Sequence, residues 1–187
     1  MNRIESFLSK LNQLKSGVIL DQNHTSTRKA RYRRMNYLRM VGSSAGCCIG
    51  IGLVEYLSTA GYSALAIPSF GASCAIGMII PASAFAQPRN VVGGHLLSGV
   101  IGLVCGHYLG AFWWTFAIAV GLSTLLMQVT RTFHPPAAAD PILFMTQAGD
   151  APLSSITLLF IGTLILVAFF AVYHRLVTKR PYPQCWL

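Results

Sequence analysis

From residue 40 onward, long apolar runs alternate with short polar breaks. The runs cover about residues 40–60 (MVGSSAGCCIGIGLVEYLSTA), 62–86 (YSALAIPSFGASCAIGMIIPASAFA), 91–110, 111–130 (AFWWTFAIAVGLSTLLMQVT) and 154–174. About 20 apolar residues rise roughly 30 Å as a helix, the thickness of a hydrocarbon core. The pattern therefore predicts an all-α polytopic membrane protein with four or five apolar helices. Pro68, Gly71, Gly77 and Pro81 interrupt the second run, which predicts a broken or re-entrant segment, because freed backbone groups survive in a membrane only where protein or water surrounds them. Ahead of the first run, Ile4, Phe7, Leu8, Leu11 and Leu14 recur at helical spacing. They predict a short amphipathic helix at the membrane surface. The chain thus divides into a basic amphipathic arm (1–39), a transmembrane domain (40–177) and a short tail (178–187).

Charge sharpens this picture. The 187 residues are 53% hydrophobic and only 10% charged, with a mean hydropathy of +0.55. Nine of the 14 Lys and Arg residues precede residue 40, and Asp and Glu total five in the whole chain. A net charge of +9 arranged in this way serves topology and anionic headgroups rather than nucleic acid. The expected setting is a bacterial inner membrane with the amino terminus cytoplasmic. Arg175, Lys179 and Arg180 favour the same side for the carboxy terminus. Five full crossings separate the ends, whereas four crossings plus a re-entrant second run bring them together. Either arrangement puts Arg89 and Arg131 on one side, because the third and fourth helices form a hairpin between them.

Two small-residue stripes point to close helix packing. One is Gly42, Gly46 and Gly50; the other is Gly94, Ser98, Gly102, Gly106 and Gly110. Such stripes let helix backbones approach in lipid, within a chain or between chains, and a homo-oligomer is expected. Cys47, Cys48, Cys74, Cys105 and Cys185 have no metal-ligand spacing. Four of them lie in apolar runs and read as small buried hydrophobes.

The candidate chemistry sits in the breaks, above all in RTFHPPAAADP at 131–141. Pro135 and Pro136 stop the preceding helix, and a new helical segment can start at the alanines that follow. Helix starts of this kind expose backbone amides that suit anions. Arg89, Arg131, His95 and His134 flank the breaks, with Asn90, Ser69 and Ser73 beside them. The arginines offer fixed positive forks and the histidines donate or exchange protons. Asp140 and Glu55 are candidate charge partners or proton relays, Asp140 as a partner of one of the arginines. The expected function is transport or channelling of a small monovalent inorganic anion, with no cofactor and no metal. The alternative is a noncatalytic oligomeric membrane scaffold. Enzyme readings lack a nucleophile elbow, a phosphate loop or a metalloprotease spacing.

The segments IPSFGASCAIGM (67–78), AQPRNVVGGHLLS (86–98) and TFHPPAAADPIL (132–143) resemble the HPP family of small integral membrane proteins, whose name matches His134, Pro135 and Pro136. The resemblance runs over roughly residues 38–177. It implies about four spanning helices and, through plastid and cyanobacterial members associated with nitrite, makes nitrite the nearest substrate. It places Gln87, Arg89, Asn90, His95 and His134 in signature segments. The chain departs from the family pattern after the tripeptide, where Ala138 and Asp140 replace the usual glycine and asparagine.

Overall fold

The computed structural model describes residues 37–59, 67–146 and 154–184. The amphipathic helix and basic linker expected before residue 37 lie outside them. The chain divides after Val41 into two units, and the account below concerns the second, Gly42–Leu187.

The described chain is all helical. In order come α1 (Tyr37–Thr59), α2 (Pro68–Ile79), a 3-10 turn (Ala84–Ala86), α3 (Pro88–Leu109), α4 (Trp113–Val129), a second 3-10 turn (Pro135–Ala139), α5 (Asp140–Thr146) and α6 (Ser154–Tyr173), which continues as a π-helical turn (His174–Thr178). Three stretches, Tyr37–Thr59, Pro88–Leu109 and Ser154–Thr178, are long and apolar enough to cross a membrane; α2 and α4 are shorter apolar helices. Ile49, Tyr56, Val104, Leu125 and Val172 face outward, an apolar surface suited to lipid. The chain is an integral membrane protein.

The punctuation follows the residues. Pro68 and Pro88 each occupy the first turn of a helix after an extended residue, where a missing N–H costs nothing. Gly110, at φ 73, ends α3. The side chain of Thr115 accepts from Phe112 N at 2.9 Å and donates to Gly110 O at 2.7 Å, which fixes the tight turn into α4. The second apolar run is broken as its prolines predict: a 12-residue helix, then a short 3-10 turn.

Contacts set the helix directions. α1 and α2 run antiparallel, with Gly46 against Met78 and Gly50 against Cys74. Tyr173 donates to Gly42 O at 2.6 Å, and Tyr182 donates to Ala86 O at 2.7 Å. The Gly42 end of α1, the end of α2, the start of α3 and the end of α6 therefore gather together. α4 returns to that end, where Arg89 Nη2 donates to Thr130 O at 3.1 Å. From there the segment 131–146 runs beside α3 in the same direction: Thr132 lies against Gly93, His134 against Gly94, and Pro141 and Phe144 against Gly102. A Cβ on Gly102 would fall 2.7 Å from Pro141 Cα, so this path requires a glycine there.

Both glycine stripes are thus used inside the chain. The first packs on Tyr173, Met78 and Phe169, and the second on His134, Pro141 and Phe144. Neither supplies the surface between chains that was one reason to expect an oligomer. The main core joins α1, α2 and α6 through Val54, Phe70, Cys74, Leu166 and Phe170.

Candidate functional site

Five polar side chains meet inside this apolar bundle. Ser69 and Ser73 stand one turn apart on α2, His95 projects from the second turn of α3, His134 precedes the two prolines, and Asp140 opens α5. Ser73, His95, His134 and Asp140 are fully buried, and Ser69 is 6% exposed. Glycine makes the meeting possible, because a Cβ at Gly94 would lie 3.0 Å from Thr132 O and 2.8 Å from His134 Cβ.

The members form one continuous chain of hydrogen bonds. His134 Nδ1 donates to Phe85 O at 2.7 Å. Its Nε2 lies 2.8 Å from Ser73 Oγ, which lies 2.8 Å from His95 Nε2. His95 Nδ1 is 2.6 Å from Asp140 Oδ2, and Ser69 Oγ donates to Asp140 Oδ1 at 2.5 Å. Ser73 Oγ is also 3.0 Å from Ser69 O. Among the described residues, no buried side-chain nitrogen or oxygen lacks a partner. Phe70 closes the apolar side, its ring edge-on to His95 at 5.2 Å.

A second layer lies at the end of the α3–α4 hairpin. Arg89 is half-exposed, Arg131 is exposed with φ 56, and Asn90 Nδ2 donates to Phe133 O at 3.0 Å. Arg89 and Asn90 hold the carbonyls of Thr130 and Phe133 and so fix how the connection enters the bundle. The structure brings Ser69, Ser73, His95, His134 and Asp140 together and keeps Arg89, Asn90 and Arg131 apart from them. Two expectations change. Asp140 pairs with His95 and Ser69, not with an arginine, because its place along α3 is beside His95 and below the hairpin end. Glu55 is exposed on α1, a helix that gives no side chain to the cluster, and is no partner within it.

Sequence reasoning missed two supports, Phe85 O and His174, and singled out a third, Gln87, without giving it a role. The Phe85 acceptor is a backbone carbonyl and leaves no signal in residue type. Gln87 donates to Pro81 O at 2.9 Å and Ser83 O at 3.0 Å and accepts from Gln184 N at 2.9 Å, tying the break after α2 to the tail. His174 reads as an interfacial residue from its basic neighbours; it is 1% exposed, with Nε2 2.8 Å from Gly77 O.

Fold and site together define an all-helical integral membrane protein built around a buried His–Ser–His–Asp chain, with broken segments on either side. The HPP transmembrane region matches residues 32–183, and the chain belongs to the HPP family. It is similar to two Dictyostelium discoideum proteins, each described as a transmembrane protein. One is 35% identical over 128 residues, covering 64% of this chain and 45% of the relative. The other is 30% identical over 131 residues, covering 63% and 40%. The chain spans less than half the length of these relatives. No solved structure matches it. Family membership supports a general transport-related role. Among the described residues, no group of three or more His, Cys, Asp or Glu is placed to hold a metal ion.

Proposed function

We propose that this protein carries a small monovalent anion across its membrane, with nitrite the nearest substrate by family resemblance. Arg89 and Arg131 draw the anion to the hairpin end by focusing positive potential there, and His134 and His95 exchange protons deeper in the bundle. Ser69, Ser73 and Asn90 hold this arrangement in place.

One observation carries the reading: a wholly buried, wholly partnered polar chain stands in the interior of a membrane protein, beneath two arginines. Ionisable side chains at such depth cost several kcal/mol relative to apolar packing. A scaffold gains nothing from that cost, and the stripes that would suit a scaffold are filled within the chain. The shared end of α1 and α6 supports an even number of passes, with both termini cytoplasmic as their charges favour.

The test is nitrite uptake into proteoliposomes. Uptake should exceed that of protein-free vesicles and fall at least about tenfold when Arg89→Gln and Arg131→Gln are combined, given the rate gains that focused charge supplies. Uptake indifferent to both substitutions sinks the proposal.

A further inference from the structure

The hydrogens along the buried chain can be counted. Phe85 O accepts only, so His134 Nδ1 always carries a hydrogen. Ser73 Oγ has one hydrogen and two lone pairs, yet three partners: His95 Nε2 at 2.8 Å, His134 Nε2 at 2.8 Å and Ser69 O at 3.0 Å. All three contacts are hydrogen bonds only when both Nε2 atoms donate and Ser73 turns its hydrogen to Ser69 O. His134 is then an imidazolium. His95 donates from Nε2 and shares a further proton with Asp140 across 2.6 Å, a pair of zero net charge wherever that proton sits. The fully bonded chain therefore carries one positive charge.

Removing one proton leaves the chain neutral with two arrangements open to it. In one, Ser73 donates to a neutral His134 and the remaining proton lies on His95 and Asp140. In the other, Ser73 donates to His95 Nε2, and an imidazolium at His134 balances the Asp140 carboxylate. Rotation of a single hydroxyl, with proton transfer along His95 and His134, exchanges the two. Ser69 O, inside α2, keeps its helical bond in both. Ser73 is the switch between a proton held at the His134 end and one held at the Asp140 end.

Among the described residues, the surrounding elements offer no competing charge at this depth. α2 contributes the two serines and the buried Cys74. α3 contributes His95 and, at its start, Arg89; Cys105 and His107 lie further along it. α4 presents no titratable side chain. The connection contributes Arg131, His134 and Asp140. Behind α2, His174 bonds to Gly77 O and Tyr182 to Ala86 O. The charge gained with the extra proton is thus buried without a fixed counter-charge, a state costly in a membrane unless an anion accompanies it.

We infer that the His134–Ser73–His95 chain takes up one proton with each anion, so that transport is an electroneutral proton–anion symport. This rests on the anion-transport reading above. Binding is reciprocal: the proton raises affinity for the anion and the anion raises affinity for the proton.

The experiment uses wild-type protein in vesicles, nitrite as the probe, valinomycin and potassium to set the voltage, and a luminal pH dye, with the nitrous-acid leak of protein-free vesicles subtracted. One-to-one coupling predicts that nitrite accumulates about tenfold for each unit of inward pH gradient at zero voltage, that the lumen acidifies in step, and that imposed voltage changes neither. Ser73→Ala removes the switching hydroxyl and should bring the accumulation ratio back toward one. Nitrite flux that follows voltage and ignores the pH gradient overturns the coupling and leaves anion transport standing. Flux no greater than the protein-free leak overturns both.

Discussion

His134 and Phe85 are 49 residues apart in sequence, and His134 Nδ1 donates to the Phe85 carbonyl at 2.7 Å. The contact joins the break after α2 to the break before α5, and the rings of Phe85 and Phe133 pack edge to face at 5.6 Å beside it. The two interruptions of the helical pattern are one structural unit, locked by a ring nitrogen whose opposite nitrogen reaches Ser73.

This geometry separates the two ends of the imidazole. His134→Asn places an amide donor near the Nδ1 position and keeps the Phe85 bond, but cannot reach Ser73. It should fold and lose most uptake. His134→Ala leaves a cavity and a part-buried carbonyl without its partner, and should lower stability by about 2–4 kcal/mol, read as thermal unfolding in detergent. Equal stability of the two variants would contradict the assigned Phe85 bond.

Among the described residues, Asp140 is the partner of both His95 Nδ1 and Ser69 Oγ. Asp140→Ala should therefore cost about 3–5 kcal/mol, the usual penalty for breaking a buried charged pair from one side. Asp140→Asn, which still accepts from Ser69, should cost less. Guanidine-independent thermal melts of the three proteins give the order directly.

Two glycines make a matched pair. At Gly102 an added Cβ meets the Pro141 backbone at 2.7 Å, whereas at Gly121 nothing lies within 4 Å. Gly102→Ala should destabilise by about 1–3 kcal/mol through overpacking against backbone. Gly121→Ala should be neutral or should stabilise by up to about 1 kcal/mol through helix propensity. A destabilised Gly121→Ala protein would show that this face of α4 is covered in the assembled protein.

The tail is a further test. Tyr182 donates to Ala86 O at 2.7 Å, and Tyr182→Phe should cost about 1 kcal/mol. Burial raises the Tyr182 phenol above its ordinary value of 10.0. The folded state thus prefers the neutral phenol. Its contribution is intact below pH 10.0 and declines as pH rises beyond it, where the unfolded chain ionises first. Protease access to the tail should increase over that alkaline range in the wild type, and the Phe variant should lack this step.

Much of the fold is written in the apolar periodicity and in proline placement: the helical class, the break at Pro81 and the stop before Pro135. The glycine stripes announce close approach, but a smooth surface does not name what lies on it, and the partners proved to be Tyr173, Met78 and Pro141 within the same chain. Asp140 shows a second limit. Charge alone points it at arginine, whereas its depth along α3, set by how far 131–146 descends, points it at His95. His174 shows a third, because its basic neighbours suggest an interface until the turn of the tail covers it.

The central claim is that an anion passes this buried chain, and initial rates of nitrite uptake by wild-type and His134→Asn proteoliposomes test it most directly. The account predicts saturable uptake above the protein-free leak in the wild type, abolished in a folded His134→Asn protein. Identical rates in the two, or a wild-type rate equal to the leak, would contradict it.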